Sequence, residues 1–315
     1  MDLFLQRIFD GLTNGTVYAS VALALVIIYK STGLLNFAQG EMATFATYIA
    51  LILTSPISPA LPGTGLASWL PRTPWPIWLA IPGAMLAAMM LGATLERAII
   101  RPLQERNSSA IAVVSVTLGL FLFINSLTVD LWFPVVRAFP NPFPAELDDY
   151  FEFGRARLRF EDLGIWFTVL AVLGVLFVML RYTKAGLAFR VISSDREHAQ
   201  LMGIHPGRTL MLGWALAAAI GALAGSLVAN NVLLESNMMI RLLIFSFAAA
   251  TLGGLDSPGG AIVGGLSIGL IQTMSAGYIP FINSDLSMIT ALIVIFIVLL
   301  IRPAGLFGTR RVERV

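Results

Sequence analysis

Residues Leu163–Leu180 read LGIWFTVLAVLGVLFVML, a run without a charged residue or a proline. A helix rises about 1.5 Å per residue, so a hydrocarbon core about 30 Å thick is crossed by about 20 apolar residues. Working outward, comparable runs recur at Leu12–Tyr29, Phe37–Thr54, Ile77–Leu95, Ile111–Phe133, Leu210–Ala229 and Leu286–Ile301. Two shorter runs, Leu242–Gly253 and Ala261–Ser275, meet at a Gly-rich break ending in Gly259-Gly260. They read either as crossings or as a re-entrant pair. The expected fold is an all-α integral membrane protein, a polytopic helical bundle of about 8–9 transmembrane helices.

The whole composition agrees. Of 315 residues, 57 % are hydrophobic and 12 % charged, whereas a soluble domain carries about 25 % charged residues. Such a chain cannot cover a water-facing surface with polar groups, which excludes a soluble enzyme, a nucleic-acid binder and a disordered scaffold. Cysteine is absent, so disulfides, thiolate metal sites and cysteine nucleophiles are excluded. The two histidines, His198 and His205, are too few for a metal centre, and no metal site is expected. Nothing matches a phosphate-cradling G-x-x-x-x-G-K-[ST] loop, so energy must come from an ion gradient or a partner. No catalytic residue is assigned.

Basic residues in short loops mark the cytoplasmic side. Thirteen of the twenty lie on one side if the spans alternate: Lys30; Arg97, Arg101 and Arg106; Arg181, Lys184, Arg190, Arg196 and Arg208; and Arg302, Arg310, Arg311 and Arg314. This orientation puts the N-terminus outside and the C-terminus in the cytoplasm. The Pro-rich stretch 55–76 and the 134–162 loop are then extracytoplasmic, the latter mixing Arg137, Arg155, Arg157 and Arg159 with six acids. Trp69, Trp75, Trp78, Trp132 and Trp166 fall near the outer boundaries, as an aromatic belt would.

The 181–209 loop is the least membrane-like part of the chain. Ser194 followed by Glu197 has capping-box spacing and predicts a short helix from Asp195 to Met202, stopped by Gly203 and then Pro206. Ala199, Leu201 and Met202 would form an apolar patch beside Asp195, Arg196 and Glu197. Such a helix either docks into a groove on another protein or merely caps two spans.

The stretch Ser194-Asp195-Arg196-Glu197-His198-Ala199-Gln200-Leu201-Met202-Gly203-Ile204, followed by Arg208, resembles the EAA-type coupling loop of bacterial ABC importer permeases. More narrowly, the chain is similar to the branched-chain amino acid permease family of the leucine/isoleucine/valine type. Gly11–Ala19 with Leu35–Met42 resembles that family's opening spans, Ala249–Ala261 with Gly264-Gly265 its Gly-rich region, and Arg302–Gly308 its ending. Departures are Gln39 where a histidine is expected and His198 where the motif has a small residue. The resemblance implies one permease domain over 1–315, with the 134–162 loop outside and 181–209 as the cytoplasmic coupling loop. It implies a multi-pass protein of the bacterial inner membrane, in contact with lipid, resembling the H-type subunit. Its partners would be a longer M-type permease, two cytoplasmic ATPases and a periplasmic substrate-binding protein, with no nucleic acid. This chain would bind no cofactor; ATP and Mg would be held by the partners. Coupling would fall to Ser194, Asp195, Arg196, Glu197, Ala199, Leu201, Met202, Gly203, Ile204 and Arg208.

A path for amino acids needs polar groups at membrane depth, where they are costly unless they face a cavity or a partner. The candidates are Asn14, Thr16 and Tyr18, Asn36, Gln39 and Glu41, Thr117 and Asn125, and Thr251. Asn14-Gly15 and Asn36–Gly40 are expected to interrupt helices. Glu41 either serves the path or caps the second span at the cytoplasmic surface; Asn14 and Asn36 either line the path or bond neighbouring helices. The glycines at 11, 15, 40, 253, 254, 259, 260, 264 and 265 read as close-packing positions, with Gly253–Gly260 as a pore element the alternative. The cargo reads as branched-chain or other apolar amino acids. The alternatives are urea or short amides carried by the same machinery, or an ion-driven secondary transporter.

Overall fold

The computed structural model describes residues 2–55, 74–106, 108–132, 135–143, 149–154, 156–194, 196–279, 282 and 286–308. All nine apolar runs form helices: α1 (Asp2–Thr32), α2 (Gln39–Thr54), α3 (Ile77–Leu95), α5 (Ala110–Trp132), α6 (Phe160–Tyr182), α9 (Pro206–Val232), α10 (Met238–Gly253), α11 (Pro258–Tyr278) and α12 (Ser287–Ile301). Six helical stretches have the length and hydropathy of a crossing, while α10 and α12 are shorter apolar helices. The polytopic helical class stands. α10 has 16 residues, longer than the run suggested.

Four expectations are corrected. First, α1 runs unbroken through Asn14-Gly15; the glycine serves close packing rather than a break. Second, segment 96–109 is not simply a loop. α3 continues through a wider π turn, Glu96–Ile100, into α4 (Arg101–Glu105). Third, the basic stretch after α6 is helical, α7 (Lys184–Ser194). Fourth, the 134–162 stretch, expected as a loop, holds a short antiparallel hairpin, β1 (Tyr150–Phe153) and β2 (Ala156–Arg159), within the otherwise helical fold. In its register Glu152 faces Arg157, and the Arg157 guanidinium lies 4.5 Å from the Tyr150 ring centroid. The Pro-rich stretch from 56 to 73, including Trp69, and Arg155, Arg310, Arg311 and Arg314 lie outside the described residues.

The chain divides into two compact units. The first comprises 1–30, 143–179 and 241–315. In it α1 and α11 cross backbone to backbone: a Cβ on Gly265 would strike the backbone of Ala19, and one on Gly269 would strike Gly15. Trp166 Nε1 donates to Thr13 Oγ1 (3.0 Å), joining α6 to α1 rather than facing lipid with its polar edge. The second unit comprises 31–142 and 180–240. Its centre is α9, whose alanines and glycines let α2 and α3 approach closely. A Cβ on Gly221 would stand 2.7 Å from Gln39 Nε2, and one on Gly92 would stand 2.6 Å from Trp214 O. Trp132 is buried and stacked on Tyr48 (centroids 5.0 Å), so it is a packing residue and not part of a belt.

Candidate functional site

Segment 181–209 folds as a compact helical turn within the second unit. α7 folds back against the end of α6, where Arg190 Nη1 donates to the carbonyls of Leu180 (3.4 Å) and Arg181 (3.2 Å). Those are carbonyls a helix end leaves without intrahelical partners, so a basic residue here caps as well as orients. α8 (Arg196–Leu201) follows. Ser194 is the last described residue of α7, before α8. Asp195 lies outside the described residues. The stop behaves as expected. Ile204 N–H donates to Ala199 O and Gly203 N–H to Gln200 O, both 2.9 Å, with Gly203 at φ 78°. This is a Schellman ending, which holds Gly203 in the left-handed region. Pro206 then opens α9 at its first turn, where a missing N–H costs nothing.

The expected apolar patch divides. Ala199 is fully buried, while Leu201 and Met202 are 85 % and 62 % exposed. Ala199 therefore anchors α8 to its neighbours, and the two larger side chains point away. Ile204 is half-buried; His198 and Arg208 are exposed. Arg196 and Glu197 lie on α8.

Two residues missed by the sequence reading tie this turn to α4. Arg101 Nη2 donates to Glu96 Oε2 (2.8 Å) and to Gly207 O (2.7 Å), and its Nε lies 3.3 Å from Glu96 Oε1. Glu96 is fully buried. A five-residue separation is not a same-face spacing on an α-helix. The intervening π turn brings the pair together, so no periodicity search would have marked it. A pocket of about 640 Å³ opens beside the clamp, lined in part by Gln104, Gln200, Ile204, His205 and Arg208.

The path candidates fall into two groups. In the second unit, α2 begins beside the middle of α9, because Gln39 Nε2 donates to Ala217 O (2.8 Å). Asn36 serves the turn before it: its Oδ1 accepts from Ala38 N–H (3.1 Å) and its Nδ2 faces Met42 Sδ (3.8 Å). It satisfies its own chain end and makes no bond to a neighbouring helix. Gln39 and Glu41 are both fully buried, so Glu41 does not cap α2 at a surface. Asn125 Nδ2 lies 3.1 Å from Glu41 Oε2, 3.0 Å from Asn237 Oδ1 and 3.4 Å from Ser236 O. Ser236 and Asn237, in the turn between α9 and α10, carried no sequence signal. Thr117 is buried and bonds Val114 O in its own helix (2.9 Å).

In the first unit, Tyr18 is buried, stacked on Phe245 (5.0 Å), and donates to Gln272 Oε1 (2.7 Å). Thr16 and Thr251 return their hydroxyls to Leu12 O (2.7 Å) and Phe247 O (2.8 Å). Asn14 is half-buried on the unbroken α1.

A family model described as the permease component of branched-chain amino acid transport systems matches residues 7–301. The high-affinity branched-chain amino acid transport system permease protein LivH of Escherichia coli K12 is 27 % identical over 318 residues, covering 99 % of this chain and 98 % of that protein. LivH of Salmonella typhimurium is 28 % identical over 315 residues, with 99 % and 98 % covered. The permease protein BraD of Pseudomonas aeruginosa is 27 % identical over 318 residues, again with 99 % and 98 % covered.

Proposed function

The chain belongs to the family of branched-chain amino acid transport permease components, and from that premise we propose that it is the H-type permease subunit of an ABC importer for branched-chain or other apolar amino acids. It performs no covalent chemistry. The observation that carries the mechanism is the exposed pair Leu201 and Met202 on a helix anchored by buried Ala199 and closed by Gly203. Two large apolar side chains on a short polar helix leave apolar surface for a partner's groove. The partner reading assigns that groove to a cytoplasmic ATPase that binds ATP and Mg. Arg208 and His205 beside the pocket would meet its rim. An M-type permease and a periplasmic binding protein complete the assembly.

On this reading residues 1–315 act as one permease domain in the bacterial inner membrane. The N-terminus and the 134–162 region face outside, and 181–209 and the C-terminus face the cytoplasm. Closure of the ATPases displaces α8, and the tie from Arg101 to Gly207 carries that displacement to α3 and α9. Transport then follows from helix rearrangement between two states.

The test is ATP-dependent uptake of labelled leucine by proteoliposomes holding the chain together with candidate ATPases, a second permease and a binding protein. Leu201→Ser combined with Met202→Ser should abolish uptake while leaving thermal stability within about 0.5 kcal/mol, as for exposed sites. Gradient-driven uptake by the chain alone would overturn the reading.

A further inference from the structure

The described residues contain nine buried side-chain polar atoms without a hydrogen-bond partner, and five of them lie together in the second unit: Glu41 Oε1, Tyr48 Oη, Ser236 Oγ, Trp132 Nε1 and Arg137 Nε. Buried polar groups in proteins are nearly always satisfied, so a concentration of this kind marks a place that something else completes. The five are continuous. Trp132 stacks on Tyr48, Tyr48 approaches Ser236, and the Ser236 carbonyl reaches Asn125, which bonds Glu41. Arg137 donates to Trp132 O (3.0 Å) at the far end. Glu41 and Tyr48 are two helical turns apart on one face of α2.

The imbalance at the Glu41 end has a sign. Asn125 Nδ2 has two hydrogens, yet three oxygens stand around it: Glu41 Oε2, Asn237 Oδ1 and Ser236 O. Reversing the Asn125 amide would set a fourth oxygen against those three, so this orientation is the better one. Glu41 Oε1 has no donor at all. The position of Glu41 in the first turn of α2 lets the helix dipole offset part of its charge, but a dipole supplies no hydrogen to Oε1. A proton on Glu41 would remove the charge and leave that oxygen unpartnered. The Glu41 end is short of donors, whereas the unpartnered Trp132 Nε1 and Arg137 Nε at the far end are donors without acceptors; a primary ammonium brings three N–H groups and a positive charge to the Glu41 end.

We propose that Glu41, with the Ser236 hydroxyl and the Asn237 carbonyl oxygen, forms a binding site for the α-ammonium group of the amino-acid cargo. Glu41 and Ser236 are buried here while Asn237 is exposed at the rim, and cargo reaches Glu41 when the permease changes state. This inference rests on the reading of the chain as an amino-acid permease and assigns one end of the cargo to one cluster. Tyr48, Ser236 and Arg137 then line the approach along α2.

The absence of cysteine permits a direct test. Ser236→Cys is made in the assembled importer. During ATP turnover, the modification rate is measured with aminoethyl methanethiosulfonate, an ammonium, and with sulfonatoethyl methanethiosulfonate, an anion. The expected result is a cationic reagent at least about tenfold faster relative to its free-thiol rate, corresponding to about 1.4 kcal/mol. Saturating leucine should protect. Glu41→Gln, which keeps shape, should bring the ratio near unity, and Glu41→Asp should restore much of it. Equal rates with native Glu41, no reaction with either reagent, or a ratio unchanged by Glu41→Gln would each overturn the site. The failure of the importer reading is separate: it is absence of leucine uptake by the wild-type assembly, whereas the reagent ratio is read whether or not uptake occurs.

Discussion

Replacing Arg101 with leucine probes the tie between α4 and the 181–209 turn. The substitution keeps the aliphatic cover and removes the guanidinium. Glu96 is fully buried, and Arg101 is 25 % exposed. Removing one partner of a buried pair costs about 3–5 kcal/mol, because the remaining charge keeps its desolvation penalty. Partial exposure of Arg101 admits water and favours the lower end, about 3 kcal/mol. Loss of the donor to Gly207 O (2.7 Å) adds about 1 kcal/mol. At about 2–4 °C per kcal/mol for a fold of this size, the melting temperature should fall by roughly 8–16 °C. The assay is thermal unfolding of the detergent-solubilised protein followed by tryptophan fluorescence. Glu96→Gln is then added to Arg101→Leu. With the buried charge gone, the double variant should recover about 2 kcal/mol relative to Arg101→Leu alone. A fall below 2 °C, or a double variant whose loss is the sum of its parts, would refute the argument that a buried charge pair holds this junction.

Three other outcomes follow from backbone geometry. Gly203→Ala must hold a side chain at φ 78°, which costs about 1–2 kcal/mol; a moderate loss of uptake and a comparable loss of stability should result. Gly203→Pro loses the N–H that bonds Gln200 O and cannot adopt that φ, so uptake should vanish while the chain stays in the membrane fraction. Gly269→Val places its Cβ and methyls into the backbone of Gly15. It should abolish the monodisperse species in size-exclusion chromatography, and a normal elution profile would refute the α1–α11 crossing.

The helices were legible because lipid imposes a rule that residue composition must obey: a spanning segment hides its backbone and shows apolar side chains. Their ends obey no such rule. α1 begins at Asp2 because the polar turn before Leu12 has partners: Gln6 Nε2 bonds Asp10 (3.0 Å), and Gln6 Oε1 accepts from Arg157 N–H (2.7 Å). Arg97, Arg101 and Arg106 read as the basic residues of a short loop. Yet the Arg101 N–H reaches back to Glu96 O across the wider turn, and Pro102 enters at the start of α4, where its missing N–H is tolerated. Glu41 was visible as a carboxylate beside an apolar run, but its depth was not. That depends on where α2 begins along α9, which Gln39 and Gly221 decide through a contact spanning most of the second unit's sequence.

The Gly-rich stretch and the closing Arg302–Gly308 stretch, distant in sequence, account for each other in the first unit. Leu306 N–H donates to Leu252 O (2.8 Å) and Phe307 N–H to Gly253 O (3.0 Å). The tail therefore satisfies carbonyls that the end of α10 leaves open, a need that lipid makes strict. Gly254 and Gly305, at φ 106° and 79°, pack backbone to backbone to allow it. Likewise a Cβ on Gly264 would strike Ala249 O, as α11 lies directly on α10. These glycines serve close backbone packing. The polar atoms still lacking partners are concentrated instead around Glu41 and Tyr48, on a helix packed by alanine, glycine and threonine contacts. Close backbone packing is what permits that concentration. It keeps lipid and bulky side chains off one face of α2, so these polar groups are enclosed by protein rather than by hydrocarbon.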